Sequence, residues 1–272
     1  NCSGQSGRSQ KGFRHNESYS QFQFLQMRVT MLTAATTSLF LGESDPHCNY
    51  QGNRTTVALK TPAAVLWDLD GTLVDTEPAW MAGELALARA HGAEWTERDA
   101  LAVVGMDLRD AADYMRERMN LGLSNEAVIS ELGNVVRQTL SDGIVWRPGA
   151  VELFARVAAR GIPQALVTMS HRFIAQPVID ALGFQAVVTG DVVSRGKPHP
   201  EPYLRAAELL DISPETCLAI EDSPTGTASA QSAGCFVLAV PNLVNVEAAE
   251  RRRVAQTLVG LTVDDLAQFF VL

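Results

Sequence analysis

From Pro62 onward the chain alternates short unbroken apolar runs with longer segments in which apolar residues return every three or four positions. Unbroken runs mark strands buried on both faces, and the longer spacing marks helices that pack one stripe against them. The runs Val65-Leu66-Trp67, Gln164–Thr168, Ala186-Val187-Val188, Leu218–Ile220 and Phe236–Val240 predict strands. Gly149–Arg160, Ile174–Leu182, Pro202–Leu210 and a segment from about Thr225 predict the helices between them, the first two closed by Gly161 and Gly183. The small residues Ala228, Ser229, Ala230 and Ala233 let the last of these approach a sheet closely, and Val263–Phe270 predicts a short amphipathic tail helix. The alternation is that of an α/β fold: a doubly wound, Rossmann-like core whose parallel sheet is covered on both faces.

One segment breaks the alternation. For about seventy residues after the first strand no strand-like run occurs. Apolar positions at Trp80, Leu85, Leu87, Ala88, Leu101, Val104, Ala111, Tyr114 and Met115, followed by the stretch Glu126–Leu140, predict helices alone. Pro78 on one side and Pro148-Gly149 on the other suit hinges. The expected organisation is a leader over residues 1–60, a core over 61–75 and 147–272, and a helical insertion over 76–146.

Charge sharpens the first of these boundaries. The first 60 residues carry 6 Lys/Arg against 3 Asp/Glu, and the remainder 16 against 28, so the sign of the balance reverses near Lys60. The leader is rich in Ser, Gln, Asn and Gly and is expected to be disordered; its apolar patch, Met31–Gly42, is too short to span a bilayer. The overall net charge of -9 argues against nucleic acid as a partner, because a phosphate backbone needs a basic footprint. Arg251-Arg252-Arg253 is the one basic triplet and is expected to be a solvated helix face. Cys2, Cys48, Cys217 and Cys235 show no zinc-like spacing, and a chain of this length needs no disulfide staples, which points to a reducing cytoplasm and no membrane partner.

The chemistry is carried by four short segments. In Trp67-Asp68-Leu69-Asp70-Gly71-Thr72 two carboxylates one residue apart meet at the carboxyl end of a strand, where hard oxygen ligands suit Mg²⁺ and the metal recruits a phosphate. Val167-Thr168-Met169-Ser170 ends the second strand with hydroxyls for phosphoryl oxygens. Gly196-Lys197-Pro198 offers a loop lysine as a phosphate point charge. Glu221-Asp222-Ser223 supplies a second acidic pair, after a buried strand and ahead of a helix, that completes a metal site with Asp68 and Asp70.

These four segments, in this order, resemble the haloacid dehalogenase-like hydrolase superfamily, in the branch of small phosphatases and β-phosphoglucomutase-like enzymes, over roughly Pro62–Gln268. The resemblance implies an Mg²⁺-dependent phosphoric monoester hydrolase acting on a small phosphorylated metabolite, such as a sugar phosphate or phosphoglycolate. It implies Asp68 as nucleophile through an aspartyl-phosphate and Asp70 as general acid and base, its side chain turned from the metal and its backbone carbonyl able to ligate instead. Thr168 and Lys197 would clamp the phosphoryl group, and the insertion would be a cap that selects the substrate. The family's mutases carry Lys-Gly-x-Ser-Arg in that cap, where this chain reads Val104-Gly105-Met106-Asp107-Leu108-Arg109. The missing lysine and serine favour hydrolysis over a mutase. Asp107 and Arg109 stand as substrate contacts or as solvated helix-start charges. A non-catalytic phosphate-binding module would not need Asp68 and Asp70 intact, and a dehalogenase would lack the second aspartate and the later acidic pair.

Overall fold

The computed structural model describes residues 61–268. The expectations for residues 1–60, and for the tail helix at Phe269 and Phe270, lie outside the described residues. Six strands form a parallel sheet: β1 (Ala64–Trp67), β2 (Gln164–Val167), β3 (Ala186–Val188), β4 (Cys217–Glu221), β5 (Phe236–Ala239) and β6 (Arg252–Val254), in the order β3-β2-β1-β4-β5-β6. β1 is central, with Leu66 opposite Ala165 of β2 on one side and Ala219 of β4 on the other. The chain winds from β1 outward through β2 and β3, then crosses to β4 and winds the other way. That reversal opens a crevice at the carboxyl ends of β1 and β4, where ligands of doubly wound sheets bind.

Strand alternation sorts the core into two layers. Val65 and Trp67 point to one face, against α5 (Ala150–Ala159) and α6 (Arg172–Ala181), where Leu153, Phe154, Val157, Ile174 and Val178 are buried with Val263 and Leu266 of α9 (Val263–Ala267). Ala64 and Leu66 point to the other, against α7 (Glu201–Leu210) and α8 (Pro224–Ser232). That layer is built from Tyr203, Ala206, Ala207 and Ala230, so these helices lie close on the sheet, as the small residues predict.

β6 departs from the expectation of a solvated helix face at Arg251-Arg252-Arg253. The strand lies at the sheet's edge and pairs with β5 alone, so charge is tolerated there. Two of the three arginines have local partners. The Arg251 guanidinium sits 4.1 Å over the Phe236 ring and donates to the Gly234 carbonyl, and Arg252 donates to Thr227 Oγ1.

Between β1 and α5 the chain forms four helices, α1 (Glu77–Ala90), α2 (Glu97–Val103), α3 (Leu108–Met119) and α4 (Asn125–Asp142), with a core of their own that includes Leu87, Trp95, Val103, Met115, Val128 and Leu132. Leu85 and Leu101, placed on the apolar stripe by spacing, are exposed instead. The two connections pair with each other: Asp75 N donates to Val145 O and Arg147 N to Leu73 O. The last turns of α4 leave the insertion's core, because Val136 and Leu140 pack with Leu153 and Ile174 of the sheet layer.

Candidate active site

The end of β1 delivers the first carboxylate. Asp68 N still donates to Ile220 O at 3.0 Å, so the ladder with β4 fixes the backbone up to the residue whose side chain leaves the sheet. Asp68 Oδ1 meets Lys197 Nζ at 2.6 Å. The lysine enters from the loop before α7, where the Lys197–Pro198 peptide is cis, and donates also to Glu221 Oε1 at 2.6 Å and to the Val167 carbonyl at 2.9 Å. Three acceptors therefore hold one buried ammonium.

Glu221, at the end of β4, is fully buried and accepts five hydrogen bonds. Oε1 takes Lys197 Nζ and Tyr203 OH, and Oε2 takes the backbone N–H groups of Asp222 and Ser223 and the Ser223 hydroxyl. Two glycines make room for this arrangement. A Cβ on Gly226 would lie 1.8 Å from Glu221 Oε1, and one on Gly71, whose φ is +80°, would lie 2.2 Å from Asp222 Oδ2. Only glycine fits either place.

Asp70, two residues past Asp68, is held quite differently. Oδ1 accepts from Thr76 Oγ1 at 2.6 Å and Trp80 Nε1 at 3.1 Å, and Oδ2 from Ser170 Oγ at 2.7 Å and Thr168 Oγ1 at 3.3 Å. These four neutral donors turn it toward the insertion. Among the described residues the group with metal-ligand spacing is Asp68, Glu221 and Asp222, whose ligand atoms lie within 4.8 Å of one another. The Asp70 carboxylate stands outside that group because Thr76, Trp80, Thr168 and Ser170 hold both of its oxygens; the place expected for Asp70 in a metal site is through its backbone carbonyl.

Electrostatics follow from this crowding. Burial, then the facing Glu221 carboxylate, push the Asp68 carboxyl up to about 7, against the pull of Lys197. Burial raises Asp222 well above the usual carboxylate range, helped by Asp68 and Glu221. Burial alone would lower Lys197, but Asp68 and Glu221 outweigh it and hold the ammonium above its ordinary value. Three buried carboxylates share one ammonium, so their full ionisation would leave two negative charges in excess. An all-oxygen set with that potential excess fits a hard divalent cation.

Above the carboxylates a cleft of about 910 Å³, its mouth included, runs into the insertion. Asp68, Asp70, Thr168, Ser170, Lys197 and Asp222 form its floor, and Val103, Met115, Ile129 and Leu132 are among its apolar walls. Asp107 and Arg109 do not line it. Asp107 caps α3 by accepting from Arg109 N, and Arg109 Nη2 donates to the carbonyls of Gly190 and Val193 on the core side. The pair acts here as a tie between insertion and core. Spacing leaves unmarked Thr76 and Trp80, which donate to Asp70, and Tyr203, which donates to Glu221; Ser170 and Ser223 lie in marked segments, but their bonds to Asp70 and Glu221 appear only in the fold. Trp80 and Tyr203 look in sequence like ordinary helix-core aromatics.

A family model for the haloacid dehalogenase-like hydrolases matches residues 62–234. The chain belongs to this family. It is therefore a hydrolase, as its four motifs lead one to expect. Hexitol phosphatase A of Escherichia coli (strain K12) is 36% identical over 180 residues, covering 64% of this chain and 81% of that protein. A phosphorylated carbohydrates phosphatase of Thermotoga maritima is 31% identical over 175 residues, covering 63% of this chain and 81% of its own length. In fold, the chain matches the crystal structure of β-phosphoglucomutase from Clostridium difficile with a TM-score of 0.67 at 22% identity, covering 77% of this chain and 99% of that one. No helix among the described residues is long and apolar enough to cross a membrane.

Proposed function

We propose that this chain is an Mg²⁺-dependent phosphatase that hydrolyses a small phosphorylated metabolite through an aspartyl-phosphate on Asp68. The observation that carries this reading is the opposite treatment of two carboxylates one residue apart. Asp68 faces Lys197 and the acidic cluster, while four neutral donors hold Asp70 away from it. A nucleophile and a proton carrier need such a division.

In this account Asp68 attacks the phosphorus in line and Asp70 gives its proton to the departing alcohol oxygen. Asp70 then takes a proton from the water that attacks the aspartyl-phosphate, so each turnover returns both groups to their starting state. Lys197 faces the transferring oxygens and is kept charged and immobile by Asp68, Glu221 and the Val167 carbonyl. Thr168 and Ser170 present hydroxyls beside the same position. Asp68 and Asp222 would hold Mg²⁺, with Glu221 behind them; the cation when bound would neutralise the excess charge and polarise a phosphoryl oxygen. Glu221, with five hydrogen bonds already made, acts chiefly as the residue that positions Lys197. The helical insertion serves as the cap that shields the reaction and selects the substrate, with domain limits at 76–146.

Hydrolysis is favoured over mutase chemistry because Lys197 is the one cation among the described residues that line the cleft, and Arg109 is engaged elsewhere. A mutase must hold a second phosphate at the far end. The relatives named as phosphatases support the same choice. A reducing, cytoplasmic setting belongs to this reading, supported by the free, buried thiols of Cys217 and Cys235. Phosphate release from a panel of sugar, polyol and two-carbon phosphates, with and without Mg²⁺, tests the proposal. Release that is indifferent to chelation, or absent throughout, would overturn it.

A further inference from the structure

The deep end of the cleft contains a feature that phosphoryl transfer does not need. α1 turns residues 77, 80, 81 and 84 toward the cavity, and two of these four are acids, Glu77 and Glu84. Trp80 touches Asp70, so Glu84, one turn further along α1, lies about 6 Å deeper along the helix axis than the catalytic end. Glu84 is 4% exposed. Its Oε2 accepts from Trp95 Nε1 at 2.9 Å, and Oε1 has no hydrogen-bond donor among the described residues. Around it the cavity wall is Val103, Ala111, Met115, Val128, Ile129 and Leu132. Glu221, fully buried, has five donors where Glu84 has one.

A buried carboxylate short of donors is unfavourable unless something supplies them. Burial pushes the Glu84 carboxyl up to about 7, which is the signature of that shortage. Oε1 is open to the cavity, so its donors are water or a ligand that displaces it, and the cavity holds no cation at this end among the described residues. A hydroxyl-bearing chain offers donors at the right depth. A carboxylate or a second phosphate would meet Glu84 with like charge and no counter-ion. A two-carbon phosphate would be too short to reach Glu84 from the floor.

We propose that Glu84 forms a subsite for the hydroxyl-bearing tail of a polyol or sugar phosphate and rejects tails that end in an anion. This rests on the phosphatase reading above and adds the substrate class to it. Glu84 is then a specificity residue that touches the substrate far from phosphorus.

The test uses a matched pair of monophosphates, sorbitol 6-phosphate and 6-phosphogluconate, which differ at C1 as alcohol against carboxylate. The ratio of their kcat/KM values, taken on one sample, is independent of how much of a variant folds. The wild type should favour the alcohol by about 100-fold, and Glu84→Gln should bring the ratio within about tenfold, mainly through KM. Trp95→Phe, which frees Glu84 from its one donor, should keep or widen the preference. A wild-type ratio near one, or a ratio unchanged in Glu84→Gln, would overturn the subsite. Calorimetric titration of the same two compounds into Asp68→Asn reads the preference without turnover. Preferential binding of the alcohol with no phosphate release in the wild type would leave the subsite standing and sink the phosphatase reading, whereas release with equal binding would do the reverse.

Discussion

The sheet end and the helical insertion both bury carboxylates, and they do so in opposite ways. At the sheet end Glu221 takes five hydrogen bonds, Asp70 four, and Lys197 three acceptors, so its polar groups are held before any ligand arrives. In the insertion Glu84 has a single donor among apolar neighbours. Preorganised polar groups suit chemistry that is the same for every substrate. An acid left short of donors suits recognition, because the ligand completes it. Substitutions should therefore act with opposite sign in the two regions.

The largest effect is expected at Asp68. Asp68→Asn should cost several powers of ten in turnover at saturating Mg²⁺ and leave the fold intact, as steady-state kinetics beside a circular dichroism melt will read. Next comes Lys197→Met, which leaves Asp68 and Glu221 buried and facing each other without their ammonium. It should destabilise the protein by about 3 kcal/mol or more, several degrees in Tm. Tyr203→Phe removes one donor of five from Glu221 and should cost on the order of 1 kcal/mol in a denaturant titration, with turnover reduced less than tenfold.

Glu84→Gln should go the other way. The folded carboxyl sits at about 7 against an ordinary 4.5, so below pH 4.5 it is protonated in both states and costs nothing. As pH rises from 4.5 to 7 the unfolded chain ionises first, and wild-type stability falls relative to the variant. At pH 8 Glu84→Gln should be the more stable by on the order of 1 kcal/mol, a few degrees in Tm, and the gap should close by pH 4.5. A gap of the same size at both pH values would show that Glu84 is not the poorly satisfied acid described here.

The sheet was legible in the sequence because five of its strands are short apolar runs between turns, and β1, β2, β3, β4 and β5 fall within a residue or two of those runs. β6 was not, since an edge strand paired on one side can be made of Arg252, Arg253 and Val254. The metal-spaced cluster was legible because Asp68 and the pair Glu221-Asp222 each end a readable strand. What holds the carboxylates was hidden: Thr76 and Trp80 on Asp70 and Tyr203 on Glu221 come from separate elements and reach them only in the folded chain. Glu84 was hidden for another reason, since one acid within the helical run Leu85-Ala86-Leu87-Ala88 looks like a solvated position until the cavity beside it is seen. Arg109 looked free to reach a substrate because nothing in sequence announces that the Gly190 and Val193 carbonyls will take its guanidinium.

The central claim is that Asp68 carries the phosphoryl group while Asp70 moves protons. It is tested most directly with Asp70→Asn and p-nitrophenyl phosphate, whose leaving group needs no proton, under rapid mixing with Mg²⁺. Asp70→Asn should give a burst of about one p-nitrophenolate per chain followed by very slow turnover, with the phosphoryl group recovered by mass spectrometry on the peptide that contains Asp68. Absence of a burst together with steady turnover like that of the wild type, or a phosphoryl group found on any other residue, would contradict the account.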